Sequence, residues 1–324
     1  MRRGYLKTEK SEARSFNERA SFIVSEVKEE NPFTKSVYAV IIALYRYKVS
    51  QNMEKDIKTV LAECGFGFKK QLGQNFITDK NLLSSIVAAS GVSENDTVVE
   101  VGCGAGTLTR ALAEKVDKVV AFEVDKSLQP VLAVTLSGLD NVEVVFRDFL
   151  KVDLKQFESG LGGYFVVANL PYYVTTPLIM KFIEEGEKCK GLSVMVQEEV
   201  AQRLCAEAGT PEYGAITAMV ALKARCEIVK RVPRTLFYPR PNVDSAVVKF
   251  TFGCGIEVAD SRKYKKVVHA AFSSRRKTLE NNLVNCFKLT RARAQEILTE
   301  CGIDLKARGE TLSPRQFSML SSKL

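Results

Sequence analysis

Two stretches of the 324-residue sequence hold residues whose types and spacing could do chemistry. The first is VVEVGCGAGTLT, residues 98–109, in which an apolar strand runs into Gly102, Gly104 and Gly106 and then into a helix. Glycines let a backbone approach a ligand closely, and the free N–H groups at a helix start point outward, so this stretch predicts a cradle for an anionic or polar cofactor. The GxGxG pattern alone is shared by dinucleotide oxidoreductases, methyltransferases and tight turns that bind nothing.

Carboxylates end the next two predicted strands. Glu123 lies where a carboxylate would accept hydrogen bonds from both hydroxyls of a ribose. Asp148 ends the following strand, where it would accept a hydrogen bond from an adenine amino group or simply cap a turn. A nicotinamide cofactor and S-adenosylmethionine both satisfy this arrangement.

The second stretch, ANLPYYVTTP at residues 168–177, separates these two cofactors. To methylate an exocyclic amine, an enzyme must direct a lone pair that is delocalised into the base ring toward an electrophilic methyl group. The Asn169 side-chain oxygen and a backbone carbonyl in the turn stiffened by Pro171 can accept both N–H bonds and aim the nitrogen, while Tyr172 stacks on the base. No strong general base is needed, because the proton becomes acidic once the methyl group has transferred.

Strands and helices that alternate along the chain must position these residues. Strands are predicted at 97–101, 118–123, 142–146, 164–168 and 192–196, with helices between them near 107–115, 126–137 and 177–185. Near-continuous apolar strands alternating with amphipathic helices predict an α/β fold with a Rossmann-like parallel sheet covered on both faces. Two later runs, 222–232 and 245–252, predict an antiparallel edge hairpin.

Three segments are predicted along the chain. Residues 53–254 form the catalytic domain, and residues 255–324 form a small all-helical domain in which apolar residues repeat at helical spacing from Tyr264 to Phe272. Residues 1–52 are an extension of unclear role: a solvated tail, an extra amphipathic helix, or an untranslated stretch if the protein begins at Met53. Glutamates make the extension too acidic for a good organelle transit peptide.

Composition limits the partners and the compartment. A formal charge of +9 favours a polyanionic partner such as nucleic acid. Eight cysteines without a CxxC pair, and a single histidine, His269, predict neither a disulfide framework nor a metal site, and favour a reducing cytoplasm. The apolar run at 37–47 is too short to span a bilayer, which predicts a protein without a membrane anchor.

Several motifs, found in one order between about residues 68 and 320, make the chain resemble the small-subunit ribosomal RNA adenine dimethyltransferases. The motifs are LGQNFITD, VEVGCGAGTLT, AFEVD, FRDFL, NLPYYVTTPL, MVQEEVAQRL, YGAIT, FYPRPNVDSAVVKF and FSSRRKTLENNL. The resemblance implies dimethylation of N6 on two adjacent adenines, in a hairpin loop near the 3′ end of that RNA, with S-adenosylmethionine as donor. It further implies a monomer that acts on a pre-ribosomal particle and takes part in small-subunit biogenesis, with the helical residues 255–324 as an RNA-binding domain.

The resemblance also assigns residues to the site. Together with the glycine turn, it gives a cofactor set of Asn75, Ile77, Gly102, Gly104, Glu123, Asp148 and Asn169. It also gives a second set, which holds the target base and consists of Asn169, Leu170, Pro171, Tyr172 and Phe237. Phe237 would be a second stacking ring, with a core aromatic as the alternative. Surface charge is the simplest interpretation of the basic residues, and some would contact RNA phosphates if the resemblance holds; they are Lys69, Lys70, Arg234, Arg240, Arg275, Arg276 and Lys277.

Three other functions stay open at this point. A large-subunit rRNA adenine methyltransferase of the antibiotic-resistance kind shares the catalytic half. A nicotinamide-dependent oxidoreductase is disfavoured, because the third glycine comes one position early for GxGxxG and no hydride-handling histidine or Tyr-Lys pair is evident. A non-catalytic ribosome assembly factor on the same fold is disfavoured by the intact NLPY sequence.

Overall fold

A seven-stranded sheet runs through the centre of residues 56–324, the part of the chain that the computed structural model describes. In chain order, the strands of this main sheet and of a separate two-stranded ribbon, β1 with β8, are β1 (Phe76–Ile77), β2 (Thr97–Val101), β3 (Lys118–Glu123), β4 (Val142–Phe146), β5 (Tyr164–Asn169), β6 (Cys189–Gln197), β7 (Ala224–Val232), β8 (Phe237–Tyr238) and β9 (Ser245–Phe252). In the main sheet they lie in the order β4-β3-β2-β5-β6-β9-β7. The first five of these are parallel, and β9 and β7 are antiparallel to their neighbours.

A hydrophobic core covers each face of the sheet. Consecutive residues along a strand point to opposite faces, so they enter opposite cores. In β2, Val98 enters one core and Val99 the other, and in β3 Val119 and Val120 divide in the same way. This explains why the strands read as nearly continuous apolar runs. The predicted α/β fold is confirmed, and the predicted hairpin of β7 and β9 forms with β7 at the sheet edge.

Helices cover the two faces and form the C-terminal part. They are α1 (Ile57–Glu63), α2 (Lys80–Ser90), α3 (Thr107–Ala113), α4 (Gln129–Thr135), α5 (Leu154–Ser159), α6 (Thr175–Glu185), α7 (Glu198–Leu204), α8 (Ala215–Val220), α9 (Ser261–Ala271), α10 (Leu279–Phe287), α11 (Arg291–Glu300) and α12 (Pro314–Lys323). Helix α2 begins where Asp79 accepts a hydrogen bond from the Leu82 amide at 2.6 Å and ends at Gly91 in the left-handed region.

A short ribbon outside the main sheet ties the chain before the glycine turn to a distant segment. Strands β1 and β8 pair antiparallel, with Phe76 opposite Tyr238 and Ile77 opposite Phe237. The Thr78 amide extends the pairing by donating to the Leu236 carbonyl at 3.2 Å. The FYPRP stretch therefore holds the LGQNFITD stretch in place, a pairing that local sequence patterns do not predict.

The C-terminal helices α9 to α12 pack around a core of their own. Tyr264, Val267 and Val268 of α9 are buried there with Phe317 and Leu320 of α12. The Tyr264 hydroxyl donates to the Ala218 carbonyl of α8 at 2.9 Å, so this core continues into the part that carries the main sheet. The division at residue 254 into two domains stays a prediction.

The expectations for residues 1–52, including a start at Met53, lie outside the described residues. Among residues 56–324, no helix is long and apolar enough to cross a bilayer.

Candidate active site

A cavity of about 310 Å³ lies where β2, β3, β4 and β5 end. The carboxyl ends of parallel strands meet at one edge of a sheet, which is where such folds place ligands. Ten of the eleven residues assigned from the sequence line this cavity: Asn75, Ile77, Gly102, Gly104, Glu123, Asp148, Asn169, Leu170, Pro171 and Tyr172. Their individual roles stay predictions, but the structure brings them together from segments almost 100 residues apart.

The glycines of the turn let other parts of the site approach closely. Gly102 and Gly104 have φ angles of 78° and 55°, in the left-handed region. A Cβ atom on Gly102 would lie 3.2 Å from Cδ of Pro171, and one on Gly104 would lie 2.8 Å from the Phe76 ring. The turn is therefore shaped to receive the NLPY turn on one side and β1 on the other.

The amides of this turn are used largely within the protein. Those of Gly102 and Cys103 both donate to the Phe122 carbonyl, at 2.8 and 3.0 Å, and that of Gly104 donates to Oε2 of Glu123 at 2.9 Å. They are not the N–H groups at the start of α3 (Thr107–Ala113), which are the ones expected to face a cofactor, and that expectation stays a prediction.

Glu123 is held rigidly at the cavity wall. Its Oε1 accepts hydrogen bonds from the Val124 and Asp125 amides, both at 2.8 Å, while Oε2 accepts the one from Gly104. Burial raises the pKa of this carboxyl, against the lowering effect of the three backbone donors. A carboxylate has about four acceptor positions, so Oε2 keeps capacity for a hydroxyl group in the cavity.

The side-chain amide of Asn169 is oriented by Asn75, which immediately precedes β1. Its Nδ2 donates to the Asn75 backbone carbonyl at 3.1 Å. Because a carbonyl can only accept, the nitrogen must face Asn75, which leaves Oδ1 as the acceptor for a ligand. The Pro171 carbonyl already accepts from the Val174 amide and the Thr175 hydroxyl, at 3.1 and 3.2 Å, and is thereby committed to the turn.

A buried carboxylate fixes the segment that carries Asn75. Asp125 accepts hydrogen bonds from Nζ of Lys69 at 2.5 Å and from Nε2 of Gln74 at 2.7 Å. Burial raises the pKa of Asp125, but the hydrogen bonds from Lys69, Ser127 and Gln74 outweigh it and bring the pKa down to about 2. Lys69, predicted as a surface charge or an RNA contact, is thus engaged within the protein. Asp148 likewise caps its own turn, accepting from the Leu150 amide at 3.0 Å while it lines the cavity.

A comparison with protein families decides the identity of this arrangement. The family described as "Ribosomal RNA adenine dimethylase" matches residues 65–324. The chain belongs to the ribosomal RNA adenine dimethylase family. Its Rossmann-like fold with a helical C-terminal part is the one that the motifs predicted.

Relatives and solved structures agree with this assignment. The chain is 47% identical over 288 residues to the ribosomal RNA small subunit methyltransferase A of Shouchella clausii, covering 84% of this chain and 97% of the relative. It is 45% identical to the protein of that name in Clostridioides difficile, covering 82% and 93% of the two chains. Among solved structures, a dimethyladenosine transferase from Plasmodium falciparum has a TM-score of 0.63 at 25% identity, covering 76% of this chain and 95% of that one. The 23S rRNA methyltransferase ErmE has a TM-score of 0.61 at 27% identity, covering 77% and 99%.

Phe237 is the one residue assigned from the sequence to the cofactor and base-holding sets that does not line the cavity. Phe237, the first residue of β8, is only 5% exposed and belongs to the buried core that also contains Phe76 and Ile77 of β1. This is the environment of the core-aromatic alternative. Its role as a second stacking ring stays a prediction.

A further carboxylate in the cavity was missed at the sequence level. Glu100 of β2 lines the cavity at 1% exposure, and its Oε2 has no hydrogen-bond partner among the described residues. Burial raises the pKa of Glu100 to about 8; the Thr109 hydroxyl opposes this shift and the nearby Glu123 carboxylate adds to it. The sequence did carry a signal for Glu100, which is a single glutamate in the apolar strand TVVEV. Because a glutamate is seldom fully buried without a partner, its place in a buried strand indicates a functional carboxylate.

Proposed function

We propose that this chain transfers methyl groups from S-adenosylmethionine to N6 of two adjacent adenines, in a hairpin loop near the 3′ end of small-subunit rRNA. The observation that carries the proposal is the oriented Asn169 amide at a cavity that also holds Glu123 and Glu100. Identity of 45–47% to relatives named as small-subunit methyltransferases supports the small subunit as target. The substrate form is a pre-ribosomal particle in the cytoplasm, and the enzyme acts as a monomer.

The chemistry needs two acceptors for the adenine amino group. Oδ1 of Asn169 takes one N–H, and the Leu170 carbonyl takes the other, since the neighbouring Pro171 carbonyl is committed to its own turn. Two acceptors that draw on both N–H bonds localise the nitrogen lone pair and direct it. The Tyr172 ring packs against the base, which must leave its stack to reach the cavity. S-adenosylmethionine supplies the electrophilic methyl group when bound.

The cavity residues fit S-adenosylmethionine. That cofactor carries a ribose diol, an adenine amino group, and cationic ammonium and sulfonium groups. Glu123 and Asp148 offer acceptors for the diol and the adenine, and the unpartnered Oε2 of Glu100 suits a cation. A cation near Glu100 favours its charged form, so binding should displace the proton that burial retains there.

The pH dependence of cofactor binding tests the role of Glu100. Below its pKa of about 8, Glu100 must lose a proton when the cation binds, so affinity for S-adenosylmethionine should rise by about tenfold from pH 6 to pH 7. Isothermal titration in two buffers of different ionisation enthalpy should show release of close to one proton. In Glu100→Gln, both the rise and the release should be lost. Equal pH profiles for the two proteins would contradict this role.

The same substitution should change the stability of the free protein. Because folding raises the pKa of Glu100 from 4.5 to about 8, the folded state binds its proton more tightly, and stability falls as pH rises through this window. Glu100→Gln removes that fall, so the variant should melt higher than the wild type at pH 8, with a much smaller difference at pH 4.5.

Mapping methylated adenines tests the proposed function directly. Small-subunit rRNA from cells that lack this protein should carry two unmethylated adjacent adenines near its 3′ end, and the purified protein with S-adenosylmethionine should dimethylate both. Loss of methylation in large-subunit rRNA instead would favour the activity named for ErmE. In a parallel titration, binding of NAD without binding of S-adenosylmethionine would overturn the assignment.

A further inference from the structure

The hydroxyl of Tyr172 has a buried partner in a distant strand. Its Oη lies 2.7 Å from Oγ of Ser245, the first residue of β9. Tyr172 lines the cavity and is half-buried, whereas Ser245 is completely buried and lies outside the cavity lining. Ser245 belongs to the FYPRPNVDSAVVKF motif, and neither the cofactor set nor the base-holding set uses it.

Ser245 is a rigid anchor. Its backbone pairs with Gln197 of β6 on one side and with Val232 of β7 on the other, so β9 is hydrogen-bonded along both edges at this point. Tyr172, in contrast, begins a short 3-10 turn between β5 and α6. The ring is thus attached to that turn at Cβ and fixed at its far end by a strand in the sheet interior.

The ring hydroxyl is suited to this bond. Burial raises the pKa of Tyr172, and the nearby Asp244 carboxylate raises it further against the lowering effect of Ser245. Tyr172 therefore stays protonated and neutral at physiological pH. Either hydroxyl can be the donor. Because Oη lies on the axis of the Cβ–Cγ bond, the interaction fixes the direction in which the ring projects from Cα, and not the rotation of the ring about that axis.

We propose that Ser245 is a positioning residue that holds the far end of the Tyr172 ring in place and thereby fixes where the target adenine packs relative to the methyl donor. The proposal rests on the proposed function, because it requires a flat base against Tyr172. A side chain free to swing about its Cα–Cβ bond would leave the amino group misaligned in part of the bound complexes, which lowers the rate of transfer rather than the affinity for the cofactor.

The test compares the two ends of the bond. Ser245→Ala, Tyr172→Phe and the double variant are assayed for methyl transfer to unmethylated small subunits, with kcat and the KM for S-adenosylmethionine measured separately. Each single variant should lower kcat by about tenfold at unchanged KM, and the double variant should be no slower than the slower single variant. Ser245→Thr, which keeps the hydroxyl, should restore most of the rate.

Ser193→Ala is the matched control. Ser193 is a buried serine in β6, beside β9, and within residues 56–324 its hydroxyl has no hydrogen-bond partner. Its replacement should leave kcat unchanged, which separates loss of the bond from loss of a buried strand serine. Melting temperatures of all variants establish that they fold, and Tyr172→Phe tests the bond independently if Ser245→Ala does not fold.

Three results would overturn the proposal: full activity of Ser245→Ala, single-variant losses that multiply in the double variant, or a rise in KM for S-adenosylmethionine that matches the loss of kcat. Each requires an active wild-type enzyme. Absence of transfer by the wild type would count against the proposed function instead, so the two failures are distinguishable.

Discussion

Asn169→Ala should reduce methyl transfer by about a hundred- to a thousandfold or below detection, while binding of the small subunit stays within a few-fold of the wild type. The variant loses the oxygen that Asn169 presents to the adenine amino group, a contact that becomes stronger as the nitrogen turns toward the methyl donor. RNA affinity comes mostly from phosphate contacts, which this substitution does not touch. Single-turnover transfer of a labelled methyl group and filter binding to unmethylated subunits measure the two quantities.

Asn141→Ala is the control for losing a structural amide. Nδ2 of Asn141 donates to the carbonyls of Ala113 and Val116, at 2.8 and 3.0 Å, and Asn141 does not line the cavity. This control should lower the melting temperature without a comparable loss of the transfer rate. If Asn169→Ala lost RNA binding and transfer equally, the NLPY turn would be a structural element and the proposed orientation of the adenine would be wrong.

The sheet was predictable because its information is local. Strands β2, β3 and β4 begin and end at the predicted residues, since each is a short apolar run that stops at a polar residue or a turn. The prediction was too short for β6, which extends from Cys189 to Gln197 and includes the polar Lys190 at its start. Cys189 and Gly191 on either side of it pair with β5, and Lys190 lies at an irregularity in the register, which its own hydropathy does not indicate.

The parts of the site that depend on distant pairing were not predictable in the same way. Strands β1 and β8 have two residues each, which is too few for an alternating hydrophobic pattern to be recognised. Each is a strand because it pairs with the other. The contact of Lys69 with Asp125 joins residues 56 positions apart, and a lone lysine in a basic stretch carries no sign of it. Glu100 was hidden for the opposite reason, because the valines around it satisfied the strand pattern.

The second large effect is expected at Glu123. In Glu123→Gln, the remaining side-chain oxygen should take the Oε1 position and keep the hydrogen bonds from the Val124 and Asp125 amides. The new NH₂ group then occupies the Oε2 position, where an acceptor faces the cavity and the Gly104 amide. Because a hydrogen bond to a charged group contributes about 1.5–3 kcal/mol, affinity for S-adenosylmethionine should fall by about tenfold to a hundredfold.

Comparison with two other variants separates the ribose role from the structural one. Glu123→Ala removes the acceptor of three amides, of which that of Asp125 is buried and those of Gly104 and Val124 are partly buried. The unsatisfied buried amide alone costs about 1–3 kcal/mol, so this variant should lose stability as well as cofactor affinity. Glu158→Gln changes a buried carboxylate away from the cavity lining, one that accepts from the Tyr164 hydroxyl and the Glu187 amide. It should lower the melting temperature and retain full cofactor affinity. Calorimetric titration that found unchanged affinity in Glu123→Gln would refute the ribose contact, since this variant alone alters the acceptor that faces the cavity while keeping most of the surrounding hydrogen bonds.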